Sequence, residues 1–185
     1  MEKVVFLDRD GTINIEKDYL YKKEDFEWEK GAQKAIKIFN DLGYKVVIIT
    51  NQSGIARGYY KEEDVMKLHE YMDEELKKNE AKIDKYYFCP HHIDGEGKYQ
   101  KRCINRKPEI GFFEDIQKEI EIDLRNSFII GDKLSDLEAG IRIGIKPILV
   151  KTGHGEENIK KLYFKVDIEK NLIEVAKKIQ NSDFY

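Results

Sequence analysis

Cysteine is scarce in this chain: only Cys89 and Cys103 occur in 185 residues. Two thiols cannot build a disulfide framework. Long apolar runs are missing as well. The N-terminus, MEKVVFLDRD, reaches acid after four apolar residues, shorter than a signal-peptide core or a membrane-spanning helix requires. A cytoplasmic protein with reduced thiols is therefore expected. Three prolines and 13 scattered glycines form no linker, and no repeat or low-complexity tract divides the chain. One domain over residues 1–185 is expected. Excess positive charge is also lacking, since 33 Lys and Arg stand against 36 Asp and Glu for a net charge of −3. Neither a nucleic-acid groove nor a membrane-binding face is expected from that balance.

What is present is a regular alternation. KVVFLD (3–8), YKVVIIT (44–50), KYYF (85–88), SFIIG (127–131) and KPILV (146–150) read as strands buried on both faces. Between them Ala32, Ala35, Ile36, Phe39 and Leu42 recur at helical spacing. Val65, Leu68, Met72 and Leu76 do the same, as do Phe113, Ile116 and Ile120, and a closing helix is expected around 169–180. The fold class implied is α/β, a doubly wound, Rossmann-like and mainly parallel sheet.

Open α/β sheets bind ligands beyond the carboxyl ends of their strands, so the residues just past each strand carry the functional reading. Asp8 and Asp10 follow the first strand. Thr50 ends the second and leads into Asn51, Gln52, Ser53 and Gly54. Asp132, Lys133 and Asp136 follow the fourth. Carboxylates gathered at one edge repel one another unless a cation sits among them. Oxygen ligands without a nearby histidine favour Mg²⁺. Asp8, at the strand tip, suits a nucleophile that would form an aspartyl phosphate. Asp10 suits the group that protonates the leaving oxygen and later deprotonates water. Taken alone, D-x-D-G also occurs in ordinary turns and calcium loops.

DRDGT (8–12), Thr50, a later lysine and GDKLSD (131–136), in that order, resemble the haloacid dehalogenase superfamily over about residues 3 to 150. The resemblance implies Asp8 as nucleophile and Asp10 as general acid/base, with Thr50 and Lys107 on the phosphoryl group. It implies magnesium held by Asp8, Asp132 and the backbone carbonyl of Asp10, with Asp136 orienting the site. The gaps from Asp10 to Thr50 and from Thr50 to Lys107 leave no room for the cap domain of many relatives, so a capless enzyme is expected. More narrowly, DRDGTIN, TNQSGIARGYY (50–60), FCPHH (88–92) and CINRKP (103–108) resemble the heptose 1,7-bisphosphate 7-phosphatase family. That likeness implies Glu16, Lys17, Asp18 and Tyr19 as a loop over the sugar. It implies Asn51, Gln52, Ser53, Arg57, Arg106 and Lys133 as substrate contacts, with Arg57, Arg106, Lys107 and Lys133 forming a cationic rim for a bisphosphate. The sister histidinol-phosphate phosphatases share DRDGT and TNQ and differ at SGIARG. A non-catalytic ligand-binding module on the same fold is the reading from another class.

Cys89, His91 and Cys103 form a C-x-H and C pattern suited to structural Zn²⁺ across residues 89–105. Asn105 stands where the related phosphatases place a fourth ligand, leaving the set one short. Water, Asn105 or His92 would have to complete it, and the metal-free alternative packs Cys89 as a small hydrophobe. Such a zinc would brace the loop carrying Arg106 and Lys107. His69 reads as structural, and HGEEN (154–158) carries no assignment. The partner expected is a small sugar bisphosphate. With no exposed apolar stripe, the expected state is a monomer.

Overall fold

A computed structural model describes residues 1–184. Six parallel strands, β1 (Val4–Leu7), β2 (Lys45–Asn51), β3 (Lys85–Cys89), β4 (Phe128–Gly131), β5 (Lys146–Val150) and β6 (Asp167–Glu169), form one sheet. Their spatial order is β3-β2-β1-β4-β5-β6. Val5 is registered with Val46 on one side and with Phe128 on the other, so β1 is central and strand order reverses between β1 and β4. That reversal opens a crevice at the carboxyl end of β1.

The helices follow from where apolar residues fall. Side chains along a strand alternate between faces. Val5 and Leu7 therefore join one core with Ile48, Ile130 and Ile148. Val4 and Phe6 join the other with Val47, Ile49 and Ile129. The first core is covered by α1 (Ala32–Asp41), α3 (Glu62–Lys77) and α7 (Leu172–Gln180), which contribute Phe39, Leu68, Met72 and Val175. The second is covered by α4 (Gly111–Glu119) and α5 (Leu134–Ile143), through Phe113, Ile116 and Ala139. Phe113 meets Phe6 edge-on at 5.0 Å between ring centroids. Two short helices, α2 (Ser53–Ala56) and α6 (Gly155–Ile159), lie just beyond β2 and β5.

The five expected strands and the doubly wound class are borne out, except that β3 (KYYFC) is an edge strand and only partly buried rather than covered on both faces. The sixth strand is an addition: Asp167, Ile168 and Glu169 are too few and too charged to show a periodicity. It sits at the sheet edge, where short charged strands are tolerated. Among the described residues no helix is long and apolar enough to cross a membrane.

His69, on α3, is buried and stacked on Tyr86 with centroids 4.3 Å apart. Its Nε2 finds no hydrogen-bond partner. Burial pushes its pKa down from 6.5 to about 3, with the Arg9 charge acting the same way. The folded state thus refuses a proton that the unfolded chain accepts below pH 6.5. Stability from this group is full above that pH and falls as pH drops towards 3, by roughly 1.4 kcal/mol per unit. Denaturant unfolding at pH 7, 6, 5 and 4.5 is expected to show a slope that His69→Phe flattens. An unchanged slope in the variant would remove His69 as its source.

Candidate active site

The crevice is built from three strand ends. Asp8 follows β1, its N–H donating to the Ile130 carbonyl of β4 at 3.0 Å. The chain then turns sharply, with the N–H groups of Thr12 and Ile13 both returning to the Arg9 carbonyl (3.2 and 2.9 Å). Gly11 takes φ +84° at this turn, and a Cβ there would lie 2.3 Å from Asp132 Oδ2. Glycine is required twice over, by the backbone angle and by the close approach. Asp132 follows β4. Asp136 sits in the first turn of α5, where its Oδ2 accepts from the Lys133 N–H at 3.1 Å.

These elements bring carboxylate oxygens of Asp8, Asp132 and Asp136 within 4.8 Å of one another, all three buried. Lys107 answers them. Its Nζ lies 2.9 Å from Asp8 Oδ1 and 2.7 Å from Asp136 Oδ1 and also donates to the Ile49 carbonyl. Burial pulls the Lys107 pKa down, but Asp136 and Asp8 outweigh it and the net shift is upward. Burial and then the neighbouring Asp8 push Asp132 up to about 8. Burial likewise pushes Asp136 up to about 6, against the pull of Lys107. Asp132 Oδ1 is buried without a hydrogen-bond partner. A carboxylate oxygen left bare beside a second carboxylate fits a hard divalent cation, and an all-oxygen set suits Mg²⁺.

The recess over this cluster measures about 30 Å³ and is lined by Asp8, Asp10, Thr50, Asn51, Lys107, Lys133, Ser135 and Asp136. Only the reacting group of a substrate enters so small a space, and the rest must lie on the rim. Glu16 reaches the rim, 3.1 Å from Lys133 Nζ and 3.5 Å from His154 Nε2. Asp18 and Tyr19 next to it both take positive φ, +40° and +59°. Such strain persists where the surroundings over-determine it and is common at ligand clamps. Tyr19 meets Tyr59 edge-on at 4.8 Å, both rings largely exposed.

The structure distributes the expected substrate contacts unevenly. Lys107 is no part of a cationic rim, because it lies buried beneath the carboxylates. Lys17 turns away, its Nζ on the Asp25 carbonyl at 2.8 Å and on Glu27 at 3.3 Å. Asn51 spends its side chain on Lys107, giving Nδ2–H to the Lys107 carbonyl (3.0 Å) and accepting the Lys107 N–H (3.1 Å). Gln52 is buried, with its amide donating to Thr50 Oγ1 and Asp10 Oδ2, both at 2.9 Å. The structure gives these two amides supporting places. Ser53 opens α2 just behind them. Arg57 faces Asp94 at 3.8 Å, and Arg106 donates to the His91 carbonyl at 3.2 Å, so both sit beside the cysteine loop.

In that loop the ligand atoms of Cys89, His91 and Cys103 lie within 4.8 Å of one another. His92 stays outside the cluster, its Nδ1 accepting the Asp94 N–H at 3.1 Å. Three residues after β5 were missed as part of the site. Thr152 Oγ1 donates to the Gly11 carbonyl (2.6 Å), Gly153 packs against Gly11, and the His154 N–H donates to Asp132 Oδ2 at 2.8 Å. The strand-end rule applied to KPILV would have found them.

The HAD-hydrolase-like family model matches residues 104–170. The chain is 46% identical over 154 residues to D-glycero-beta-D-manno-heptose-1,7-bisphosphate 7-phosphatase of Haemophilus ducreyi, covering 82% of this chain and 85% of that protein. The chain belongs to the heptose-bisphosphate phosphatase family. It is also 47% identical over 148 residues to a member from Campylobacter jejuni whose name specifies the alpha anomer, covering 80% of this chain and 81% of that one. Among solved structures, D,D-heptose 1,7-bisphosphate phosphatase from B. bronchiseptica, complexed with magnesium and phosphate, superposes with a TM-score of 0.88. Its identity is 30%, over 97% of this chain and 99% of that one. The haloacid dehalogenase resemblance carried by DRDGT and GDKLSD is borne out, and the chain is a phosphoric monoester hydrolase.

Proposed function

We propose that this enzyme removes the 7-phosphate of D-glycero-D-manno-heptose 1,7-bisphosphate, in the synthesis of heptose precursors for surface polysaccharide. The observation that carries the chemistry is the buried Asp8–Lys107–Asp136 contact at the tip of β1, with Asp132 beside it. The substrate rests on the family. Asp8 attacks phosphorus, an Asp8–phosphorus bond forms and the phosphorus–ester oxygen bond breaks. Asp10 gives its proton to the departing sugar oxygen. Water then gives a proton to Asp10 and its oxygen to phosphorus, and the Asp8 carboxylate is released with inorganic phosphate. Thr50 and Lys107 bind the transferring oxygens. Magnesium held by Asp8, Asp132 and the Asp10 carbonyl supplies, when bound, neutralisation of phosphoryl charge.

Two further features support a bisphosphate. An open cleft of about 450 Å³ lies along the Lys107 loop, lined by His92, Lys101, Arg102 and Arg106 among others, where a second phosphate finds cations. Lys133, bridged to Glu16, lies across the recess. Only α1, one short 3-10 turn (Lys23–Asp25) and loops join β1 to β2, and only α2 and α3 with their loops join β2 to β3, which supports a capless, single-domain enzyme. The test is phosphate release, with Mg²⁺, from both anomers of the bisphosphate and from histidinol phosphate. Faster release from the bisphosphate, abolished by chelation and restored by Mg²⁺, is expected. Preference for histidinol phosphate would move the enzyme to the sister activity, and no turnover of any ester would return it to a ligand-binding module.

The cysteine loop is proposed to hold one Zn²⁺ on Cys89, His91 and Cys103, with water or Asn105 as the fourth ligand. The convergence of three soft donors supports it. Metal analysis of purified protein is expected to give about one zinc per chain. Cys103→Ser should lose it together with thermal stability, while Mg²⁺ dependence stays. A zinc-free, fully stable wild type would establish the loop as metal-free.

A further inference from the structure

The proposed proton carrier is not a free carboxylate. Asp10 Oδ1 accepts from Arg9 Nε (3.1 Å), Arg9 Nη2 (2.9 Å) and Asn14 Nδ2 (3.0 Å), and Oδ2 accepts from Arg9 Nη2 and Gln52 Nε2 (both 2.9 Å). Arg9 is fully buried and anchored further by the Leu20 carbonyl at 2.8 Å. Gln52 is the joint of this network. Its Nε2 serves both Asp10 Oδ2 and Thr50 Oγ1, while its Oε1 accepts the Tyr60 hydroxyl at 2.6 Å and faces Arg9 Nη2 at 3.4 Å.

An amide has two ends of nearly equal shape and opposite hydrogen-bonding sense. Which end faces Asp10 is set by what surrounds the other end. Turned over, Gln52 would aim its carbonyl at the Asp10 carboxylate and its NH₂ at two donors, Tyr60 and Arg9. Tyr60 is the donor built to prevent that. Its ring is buried and stacked on Tyr21 (5.0 Å, 19° between planes). A Cβ on Gly54 would lie 2.2 Å from the Tyr60 ring, so the glycine of TNQSG makes the space the tyrosine occupies. Burial pushes the phenol's pKa up, so it donates across the whole working range.

We propose that Tyr60 is a positioning residue for phosphoryl transfer: through Gln52 it holds the Asp10 carboxyl group at the place from which it exchanges a proton with the leaving oxygen. This rests on the reading of Asp10 as proton carrier, and it gives the SGIARGYY stretch a role beyond the rim. Tyr60 lies buried behind Gln52 and does not line the recess over the carboxylates. Its loss therefore acts on proton delivery rather than on phosphate binding.

The leaving group provides the test. A sugar alkoxide needs the proton, whereas p-nitrophenolate departs without it, and kcat/KM reports the steps up to Asp8 phosphorylation. Tyr60→Phe is expected to lower kcat/KM for the sugar bisphosphate about 10- to 100-fold, part of the range general acid catalysis spans. The same variant should change kcat/KM for p-nitrophenyl phosphate by no more than about threefold, a small fraction of that range. KM should hold for both. Gln52→Leu, run alongside, also frees the Thr50 hydroxyl; it should still lower kcat/KM more for the sugar bisphosphate than for p-nitrophenyl phosphate and serves if Tyr60→Phe fails to fold. Equal losses on the two esters, or no loss on either, would overturn the proposal. Asp10→Asn is the control: if it shows no split, the reading of Asp10 itself fails, and if it alone shows one, only the role of Tyr60 fails.

Discussion

Asp8→Asn is expected to abolish phosphate release from every ester, by at least ~10⁴-fold in kcat, the scale on which loss of a nucleophile is felt. The substitution is isosteric and keeps an oxygen for Lys107, now 2.9 Å from Asp8 Oδ1. It removes one of three buried carboxylates, in a cluster where burial and then the Asp8 charge push Asp132 up to about 8. The variant should thus unfold at the same temperature as the parent or higher, activity and stability being opposed at such a site. Phosphate release and thermal unfolding on one preparation check both halves. A variant that keeps a tenth of its activity would exclude Asp8 as nucleophile. One that melts lower would show that the Asp8 charge is a net stabiliser.

Lys107→Met is expected to move both quantities the same way. The ammonium is buried between Asp8 and Asp136 at 2.9 and 2.7 Å. Methionine fills most of its volume and neutralises nothing. Removing one partner of a buried ion pair leaves uncompensated charge and costs about 3–5 kcal/mol. Transfer should fall about 10²- to 10³-fold, as when one donor to a developing oxyanion is removed. The contrast between the two variants is the informative result, because both delete one charge from one cluster. If Lys107→Met were as stable as the parent, the cluster would not depend on Lys107 for neutralisation.

Much of this was legible in the residue order. β1, β2, β4 and β5 announce themselves by apolar, β-branched runs, because a strand covered on both faces must be apolar throughout, and β3 by its aromatic run Tyr86–Phe88. Acid at the tip of such a run is costly unless it works, and that singled out Asp8 and Asp132. β6 escaped because three residues with two charges carry no period. Thr152 and His154 carry no motif of their own, and only their place just past β5 points to the site.

The sequence by itself determined the fold class, the strand tips and the family, since hydrophobic period and motif order are properties of neighbouring residues. Tertiary structure alone decided which side chains meet. Asp8, Lys107, Asp132 and Asp136 converge only because parallel pairing aligns β1 with β2 and β4 in one register. Gln52 and Asn51 turn inward, and Lys17 outward, because partners distant in the chain satisfy their polar groups. A buried polar side chain must find such partners, and no local stretch of sequence records where they lie.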